Sequence, residues 1–288
     1  GREMTHRSDL DLVFIYDHDA DATGSDGPKS LMPSVYFTRL SQRLITAITA
    51  QTGEGHLYEL DMRLRPSGNK GPIASRLDGF DQYHGEQSWT WEHMAMTRAR
   101  IFDSPDPLRQ SIEESLRRTL TRERDPDTLL ADVAAMRERM AKEHTGESIW
   151  DTKHLRGGLV DIEFIAQYLM LRHAASDPTV LSPNTADALA RLGRANYLDA
   201  DTHDALQDAL GLWQRLQGVL RLTCEGDFDE SRATAGQRDL LIRAGLVEDF
   251  DALKNRIRET ASIAHAVFDR LIAEPAVPIR AAQSDMTK

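Results

Sequence analysis

Helical periodicity constrains the fold of this chain more than any other feature of its sequence. From about Gly79 onward, apolar side chains recur at three- and four-residue spacing, which is typical of amphipathic helices that share a core. Three stripes are clearest: Leu129, Val133, Met136 and Met140; Leu155, Leu159, Ile162, Ile165 and Leu169; and Leu206, Leu210, Trp213, Leu216 and Leu220. The sequence therefore predicts that the larger part of the chain is a helical bundle.

The first part of the chain shows a different pattern. Residues 10–16 read LDLVFIY, an apolar and β-rich run of strand length. An amphipathic helix is predicted over about 33–50, and a second strand over about 57–64. A turn rich in Gly, Ser and Pro follows over 66–72, and we expect a short return strand at 73–74.

These two patterns predict an α+β chain with two domains, because 288 residues are many for a single core. The first domain is expected over 1–104 and a connecting segment, marked by Pro-containing runs, over 105–126. A helical bundle domain is expected over 127–273. The remaining residues, 274–288, are polar and interrupted by proline, so we expect a flexible tail.

Composition argues against several classes of protein. The formal net charge is −11, whereas a binder of duplex nucleic acid usually presents a basic face. No apolar run approaches the ~20 residues that span a bilayer. The single cysteine, Cys224, allows no internal disulfide, which fits a reducing cytoplasm. We therefore expect a cytoplasmic protein that binds neither nucleic acid nor membranes.

Asp9 and Asp11 are the first candidates for chemistry. They are two residues apart at the start of a predicted strand, so both carboxylates point to the same side. Crowded carboxylates raise each other's pKa unless a cation lies between them, and Mg²⁺ prefers oxygen ligands of this kind. The alternative is that Asp9 caps a turn and Asp11 is a solvated strand residue, because an Asp-x-Asp pair alone is a weak signal.

Residues on the second predicted strand strengthen the metal interpretation. Asp61 would supply a third carboxylate if the two strands are neighbours, and Arg63 and Arg65 share its face of the strand. Three carboxylates can hold two metal ions, the arrangement used for in-line displacement at phosphorus. The Ser8 hydroxyl and the Lys70 ammonium are candidates for phosphate contacts. The pattern predicts a metal site for displacement at phosphorus, while for the basic residues a solvated surface is the alternative.

Other catalytic templates are absent from the sequence. It contains neither a P-loop nor a Gly-x-Gly-x-x-Gly run, and it has no Gly-x-Ser-x-Gly nucleophile elbow. It has no His-Glu-x-x-His motif, and one cysteine cannot form the paired ligands of a structural zinc site.

Four segments resemble a known family. Residues 1–12, GREMTHRSDLDL, resemble the nucleotidyltransferase signature of the DNA polymerase β superfamily, in which a glycine turn precedes the Asp-x-Asp pair. Residues 57–68, 88–100 and 157–168 read LYELDMRLRPSG, SWTWEHMAMTRAR and GGLVDIEFIAQY. Together they resemble the glutamine synthetase adenylyltransferases, bifunctional bacterial enzymes that attach AMP to glutamine synthetase and remove it. The resemblance implies a polymerase β-like domain, with a small mixed sheet and helices, followed by an all-α bundle.

The resemblance also implies an activity and its site. The variants RLRPSG, WTWEH and Asp161-Ile-Glu163 resemble the C-terminal half of that family, which adds AMP from ATP to a tyrosine hydroxyl and so regulates nitrogen assimilation. Mg²⁺ or Mn²⁺ would be held by Asp9, Asp11 and Asp61. ATP phosphates would be contacted by Gly1, Ser8, Arg63, Arg65 and Lys70. Glutamine synthetase is the implied substrate, with the PII signal protein and glutamine as implied regulators.

The resemblance leaves several alternatives open. The same fold could remove AMP by phosphorolysis, act as a non-catalytic module that docks PII, or transfer uridylyl or another nucleotidyl group. The family's turn normally has two small residues after a helix, whereas Gly1 stands alone here, so we expect an N-terminally truncated domain. Asp161 either reaches toward an active-site cleft or forms a salt bridge nearby.

Overall fold

The computed structural model describes residues 3–55, 58–144 and 148–286. The chain forms two compact units. One is Met4–Leu120, and the other combines Glu3 with the residues from Thr121 onward. Among the described residues, no helix is both long and apolar enough to cross a membrane.

The strands of the first unit are short and pair in two parallel ladders. Strand β1 (Leu10–Asp11) pairs with β3 (Leu60–Asp61), and β2 (Phe14–Tyr16) pairs with β4 (Ala74–Arg76). Parallel pairing requires a crossover connection, and helix α1 (Pro33–Thr49) lies in it. The residues of the predicted strand 10–16 thus belong to two separate sheets. The expectation of a mixed sheet is wrong for the described residues, because both of their ladders are parallel.

The predicted helix over 33–50 is confirmed, because α1 covers nearly the same residues. Proline at its first position suits a helix start, since the missing N–H would have no partner there. Its Phe37 ring stacks on Tyr16 of β2, with ring centroids 4.4 Å apart. This contact packs the helix onto the second ladder.

The second predicted strand is much shorter than 57–64. Leu57 lies outside the described residues, and the strand ends at Asp61. The chain then turns at once, because the Arg65 N–H donates to the Met62 carbonyl at 3.3 Å and the Gly68 N–H donates to the Arg65 carbonyl at 2.8 Å. The predicted common face of Asp61, Arg63 and Arg65 is therefore wrong.

Three further helices complete the first unit: α2 (Leu77–Glu86), α3 (Thr90–Met96) and α4 (Asp106–Leu120). Helix α4 occupies most of the predicted connecting segment 105–126 and belongs to the first unit. Ser115 and Arg118 of α4 both donate to the Asp81 carboxylate of α2, the latter at 2.7 Å. These long-range contacts join α4 to α2 of the first unit. Periodicity does not reveal them, which is why the sequence predicted a connecting segment here.

The second unit consists of seven α-helices among its described residues, α5 to α11. They span Pro126–Glu143, Leu159–His173, Thr185–Arg194, Ala200–Thr223, Ala235–Gly245, Phe250–Phe268 and Glu274–Met286. The predicted stripes supply much of the core: Ile162, Ile165, Leu206, Trp213 and Leu216 are all completely buried. The helical character predicted for this part of the chain is confirmed.

The predicted flexible tail is a helix over its described part. A π-helical turn, Asp269–Ala273, joins α10 to α11. Arg280 of α11 then forms an ion pair with Glu138 of α5, with Nη2 at 2.9 Å from Oε2. Ala276 is also buried. Contacts with α5 therefore hold in a helix a segment whose prolines had predicted an irregular tail.

Candidate active site

The pairing of β1 with β3 determines the geometry of the candidate site. The Leu10 N–H donates to the Glu59 carbonyl and the Leu12 N–H donates to the Asp61 carbonyl, both at 2.9 Å. This register places Asp11 directly beside Asp61. Neighbouring residues of paired strands point to the same side of a sheet, so the two carboxylates lie side by side. The strands that carry Asp11 and Asp61 are therefore neighbours, which the prediction of a third carboxylate at this site required.

Asp11 has an environment that disfavours its charged form. Partial burial is the main cause of its raised pKa, and the neighbouring negative charge of Asp61 comes next. Asp9 raises the pKa further, whereas the positive charges of Arg98 and Arg63 lower it. A cation bound among these carboxylates would relieve both the repulsion and the raised pKa.

Asp61 already has a cationic partner in Arg63. The Arg63 Nε lies 3.0 Å from Oδ1 and 2.7 Å from Oδ2, and its Nη2 also contacts Oδ2. The Arg63 N–H donates to Oδ1 at 2.8 Å. These hydrogen bonds to the charged form hold the pKa of Asp61 below its ordinary value. The Arg63 side chain is 75% exposed but that of Asp61 is only 17% exposed, so the guanidinium can leave at little cost only if another cation takes its place on the carboxylate.

The donor set fits a hard metal ion in its chemistry, although it is not assembled as a closed metal cage. Among the described residues, no group of three or more His, Cys, Asp or Glu side chains has metal-binding geometry. Asp11 and Asp61 nevertheless offer adjacent carboxylate oxygens, and Arg63 occupies the position of a cation on Asp61. A metal at this place would have to displace the Arg63 guanidinium.

Of the two predicted phosphate-binding residues near the start of the chain, the structure describes Ser8. The Ser8 Oγ accepts from the Thr5 N–H at 2.9 Å, and the Ser8 N–H donates to the Thr5 carbonyl at 3.0 Å. Ser8 therefore closes a tight turn just before Asp9. Gly1 lies outside the described residues.

Arg65 and Lys70 belong to the turn that follows β3. The Arg65 guanidinium donates to the carbonyls of Met62, at 2.8 Å, and Gly71, at 3.4 Å, so it spans the turn. Lys70 ends a short 3₁₀ turn and is exposed. A Cβ on Gly71 would lie 1.9 Å from the Pro66 carbonyl oxygen, so the turn requires glycine there. Arg63, and not Arg65, reaches the carboxylate of Asp61.

Arg98 is the residue that sequence reasoning missed. Its charge acts on Asp11 more strongly than that of Arg63 does. Arg98 follows α3, whose start is anchored by the buried Glu92: this carboxylate accepts from the Tyr83 hydroxyl at 3.0 Å and from the Trp89 N–H at 2.8 Å. The only sequence signal was the segment 88–100 as a whole, since nothing local links Arg98 to Asp11.

In the second unit, Asp161 forms a salt bridge inside the core. It is completely buried, its Oδ1 pairs with the Arg137 Nε, and its Oδ2 accepts from the Gly157 N–H at 2.5 Å. The Trp213 Nε1 donates to the Gly157 carbonyl at 3.0 Å. Of the two interpretations of Asp161, the nearby salt bridge is the one observed.

Comparison with protein families identifies the class of protein. Residues 1–115 match the family model described as "Glutamate-ammonia ligase adenylyltransferase", and residues 127–272 match the one described as "GlnD PII-uridylyltransferase". Both descriptions are of nucleotidyltransferases. The parallel strands with adjacent carboxylates, followed by helices, are compatible with that class.

Individual relatives make the assignment more specific. Proteins named "Bifunctional glutamine synthetase adenylyltransferase/adenylyl-removing enzyme" match in Rhodopseudomonas palustris (46% identity, 94% of this chain), Bradyrhizobium sp. (45%, 95%) and Xanthobacter autotrophicus (42%, 94%). The chain belongs to the glutamine synthetase adenylyltransferase family and matches a region of that bifunctional enzyme. It spans about 28% of the length of these relatives.

Proposed function

We propose that this chain transfers an adenylyl group from ATP to a tyrosine hydroxyl of glutamine synthetase, with release of pyrophosphate. The observation that carries this proposal is the parallel pairing that sets Asp11 beside Asp61. Support for AMP addition comes from the family description matched by residues 1–115, which names an adenylyltransferase. The name of the relatives adds glutamine synthetase as the substrate of those proteins.

The carboxylates of Asp9, Asp11 and Asp61 are proposed to hold Mg²⁺ or Mn²⁺. When bound, such an ion supplies positive charge at the transferred phosphate and at the departing pyrophosphate. The raised pKa of Asp11, caused by burial and by the charge of Asp61, supports a site built for a cation. The exposed position of Asp9, next to this pair, leaves its oxygens accessible as further ligands.

The chain's own cations have separate proposed tasks in the transfer step. The tyrosine oxygen forms a bond to the α-phosphorus while the bond from that phosphorus to the pyrophosphate oxygen breaks, so negative charge moves onto pyrophosphate. Arg63, released from Asp61, donates charge-assisted hydrogen bonds to the phosphate oxygens. Arg98 offsets the carboxylate charge at Asp11. Free tyrosine has a pKa of about 10, so its proton must pass to the solvent or to a nearby carboxylate during the attack.

The remaining phosphate contacts are proposed from the surroundings of each residue. Lys70 is exposed on the turn after β3 and is proposed to contact the outer phosphates. Ser8 is proposed to contact the same end of ATP, and the predicted contact from Gly1 falls outside the described residues. Arg65 already binds two backbone carbonyls, so we propose that it acts mainly by holding the turn in shape.

The helical unit supports a second, regulatory proposal. Residues 127–272 match a family described as a PII-uridylyltransferase. We propose that this unit takes part in regulation through the PII signal protein, with residues 4–120 carrying the transfer chemistry.

Label transfer tests the proposed reaction directly. The chain is incubated with glutamine synthetase, Mg²⁺ and ATP labelled at the α-phosphate, and label on glutamine synthetase is measured with released pyrophosphate. We expect Asp11→Asn to abolish labelling and the control Asp21→Asn, on an exposed loop, to retain it. Unchanged labelling by Asp11→Asn contradicts the site. Formation of ADP from adenylylated glutamine synthetase and phosphate, without labelling in the first assay, supports the removal reaction instead.

Metal dependence has its own test. ATP is expected to raise the melting temperature of the chain only when Mg²⁺ or Mn²⁺ is present. Equal stabilisation by ATP in excess chelator would contradict a role for metal at Asp9, Asp11 and Asp61.

A further inference from the structure

Helix α1 exposes a row of apolar side chains to solvent. Met32, just before the helix, and Tyr36, Leu40 and Leu44 within it follow one another at four-residue spacing, and each is between 41% and 67% exposed. Single exposed apolar residues are ordinary on protein surfaces, whereas a contiguous apolar patch often marks a surface that contacts another molecule. We call these four side chains the α1 row.

The opposite face of α1 packs on the first unit. The structure describes every residue of this helix, and Ser41 is the only buried one. Phe37, one turn before Ser41, stacks on Tyr16 of β2. Successive residues of a helix are about 100° apart around its axis, so Phe37 and Ser41 point away from Tyr36 and Leu40. The α1 row is therefore not the face by which the helix joins the second ladder.

The charge around the α1 row is positive. Arg39 and Arg43 are exposed and follow Tyr36 and Leu40 by three residues, which makes them neighbours of the row on the helix surface. Residues 27–53 contain no Asp or Glu, although 46 of the 288 residues of the chain are acidic. A basic and apolar surface in an acidic chain favours a partner that carries carboxylates.

The spacing of the α1 row indicates the shape of that partner. Side chains four residues apart form a ridge along a helix, and two helices pack when the ridge of one lies in a groove of the other. The row from Met32 to Leu44 is about 18 Å long, or roughly three turns. An extended strand binds through unpaired backbone groups at a sheet edge, which a helix does not offer. The row therefore suits contact with another helix.

Two other occupants fit the charge less well. A second copy of this chain, docked through the same row, would bring the arginine pairs of both copies together, and like charges across an interface oppose docking. An anionic membrane surface is extended and meets the whole chain, whose net charge is −11. A helix on the row, by contrast, interacts mainly with charges within about 8 Å at physiological salt, where Arg39 and Arg43 lie beside it.

We propose that the α1 row is the docking surface for an amphipathic helix of another protein. This helix places an apolar ridge across Tyr36 and Leu40 and pairs its carboxylates with Arg39 and Arg43. The proposal goes beyond AMP transfer and does not depend on it, because none of these residues belongs to the candidate active site.

Selection from a displayed peptide library tests the chemistry of the partner. Peptides of about 20 residues, longer than the length at which isolated helices become marginal, are varied at their surface positions and selected for binding to the chain. We expect the recovered sequences to share apolar residues at three- and four-residue spacing with Asp or Glu beside them. Recovery of basic sequences, of sequences without helical spacing, or of no enriched sequence overturns the proposal.

Variants of α1 locate the contact. Leu40→Ala, and the double substitution Arg39→Gln with Arg43→Gln, are each expected to weaken binding of the selected peptide about tenfold, as on loss of a central interface side chain. Leu240→Ala is the matched control, because Leu240 is similarly exposed on α9 of the second unit, and it should bind the peptide unchanged. Unaltered melting temperatures show that the variants are folded. Equal binding by Leu40→Ala and Leu240→Ala overturns the proposal.

Two further measurements detect the other occupants. Sedimentation velocity reports self-association, and co-sedimentation with vesicles of phosphatidylcholine and phosphatidylglycerol reports lipid binding. We expect neither a dimer nor vesicle binding that depends on Leu40. A dimer that Leu40→Glu dissolves assigns the row to a second copy, and vesicle binding that Leu40→Glu abolishes assigns it to a lipid surface. Either result overturns the proposal.

Discussion

Asp11 in the first unit and Asp161 in the second unit occur in similar local sequences but have opposite environments. Each belongs to a pair of acidic residues separated by one apolar residue: Asp9-Leu10-Asp11 and Asp161-Ile162-Glu163. Asp11 is only partly buried and lies beside the carboxylate of Asp61, whereas Asp161 is completely buried and bonded through both of its oxygens. The spacing alone therefore does not distinguish the two.

The secondary structure explains the difference. On a strand, residues two apart point to the same side, so the acids of the first pair can crowd together. On helix α6, residues two apart lie on different faces, so Asp161 can enter the core without Glu163. A carboxylate with all its partners inside the chain stabilises the fold. Asp11, whose nearest charged neighbours include the carboxylates of Asp61 and Asp9, is instead suited to bind a cation from outside.

The largest expected effect concerns the buried pair of Asp161 and Arg137. Arg137→Ala should lower the free energy of unfolding by about 3–5 kcal/mol, because it leaves a buried carboxylate without its cation. Urea denaturation followed by circular dichroism measures the loss. Asp251→Asn, in an ion pair whose carboxylate is 86% exposed, is the matched control and should leave the midpoint nearly unchanged. Equal midpoints for Arg137→Ala and this control would contradict the structural role.

Asp11→Asn should show the reverse pattern. We expect adenylyl transfer to fall by about 10²-fold or more, as on loss of a group that stabilises transition-state charge, while the melting temperature stays equal or rises. The physical reason is that the substitution removes a carboxylate repelled by Asp61 and Asp9. Label transfer and a melting curve on the same preparation measure both. A large loss of stability would mean that Asp11, like Asp161, is structural.

Gly157 offers a smaller test of the buried region. Its φ is +78°, and an added Cβ would lie 1.9 Å from the Ala261 carbonyl oxygen, where α6 begins next to α10. Gly157→Ala should therefore cost about 1–3 kcal/mol through overpacking and backbone strain. Gly218→Ala in α8 is the control, because its Cβ would meet nothing within 4 Å. That substitution should stabilise the helix by up to ~1 kcal/mol. Similar denaturation midpoints for the two variants would contradict the tight crossing.

The smallest expected effect is a pH dependence from Asp11. Its pKa in the folded chain is raised above 3.8, mainly by burial and next by the charge of Asp61, so the folded chain binds more protons than the unfolded chain. Its contribution to stability must therefore fall as pH rises from 3.8 through the raised pKa. The unfolding free energies of the unchanged chain and of Asp11→Asn are measured from pH 3.8 to above the raised pKa. Their difference isolates the contribution of Asp11, because Asp61, whose pKa shifts in the opposite direction, is present in both. A difference that does not change with pH would contradict the crowding of carboxylates.

Local patterns in the sequence predicted much of the fold. Helix α1, the helical stripes and the strands at Asp11 and Asp61 follow from the spacing of apolar and polar residues, which reflects secondary structure directly. The end of β3 was missed, because the turn at Met62 depends on how the Arg65 guanidinium binds the backbone carbonyls of Met62 and Gly71 on either side of it. Helix α11 was missed for a similar reason, since its ion pair joins residues 142 positions apart.

The sequence by itself determined the identity of the acidic residues, the type of element that carries them and the resemblance to a nucleotidyltransferase family. Only the tertiary structure decided which of them meet. It set Asp11 beside Asp61 through strand register, brought the charge of Arg98 to Asp11, and paired Asp161 with Arg137. Partners of this kind are fixed by contacts between distant parts of the chain, and the spacing of neighbouring residues carries no information about them.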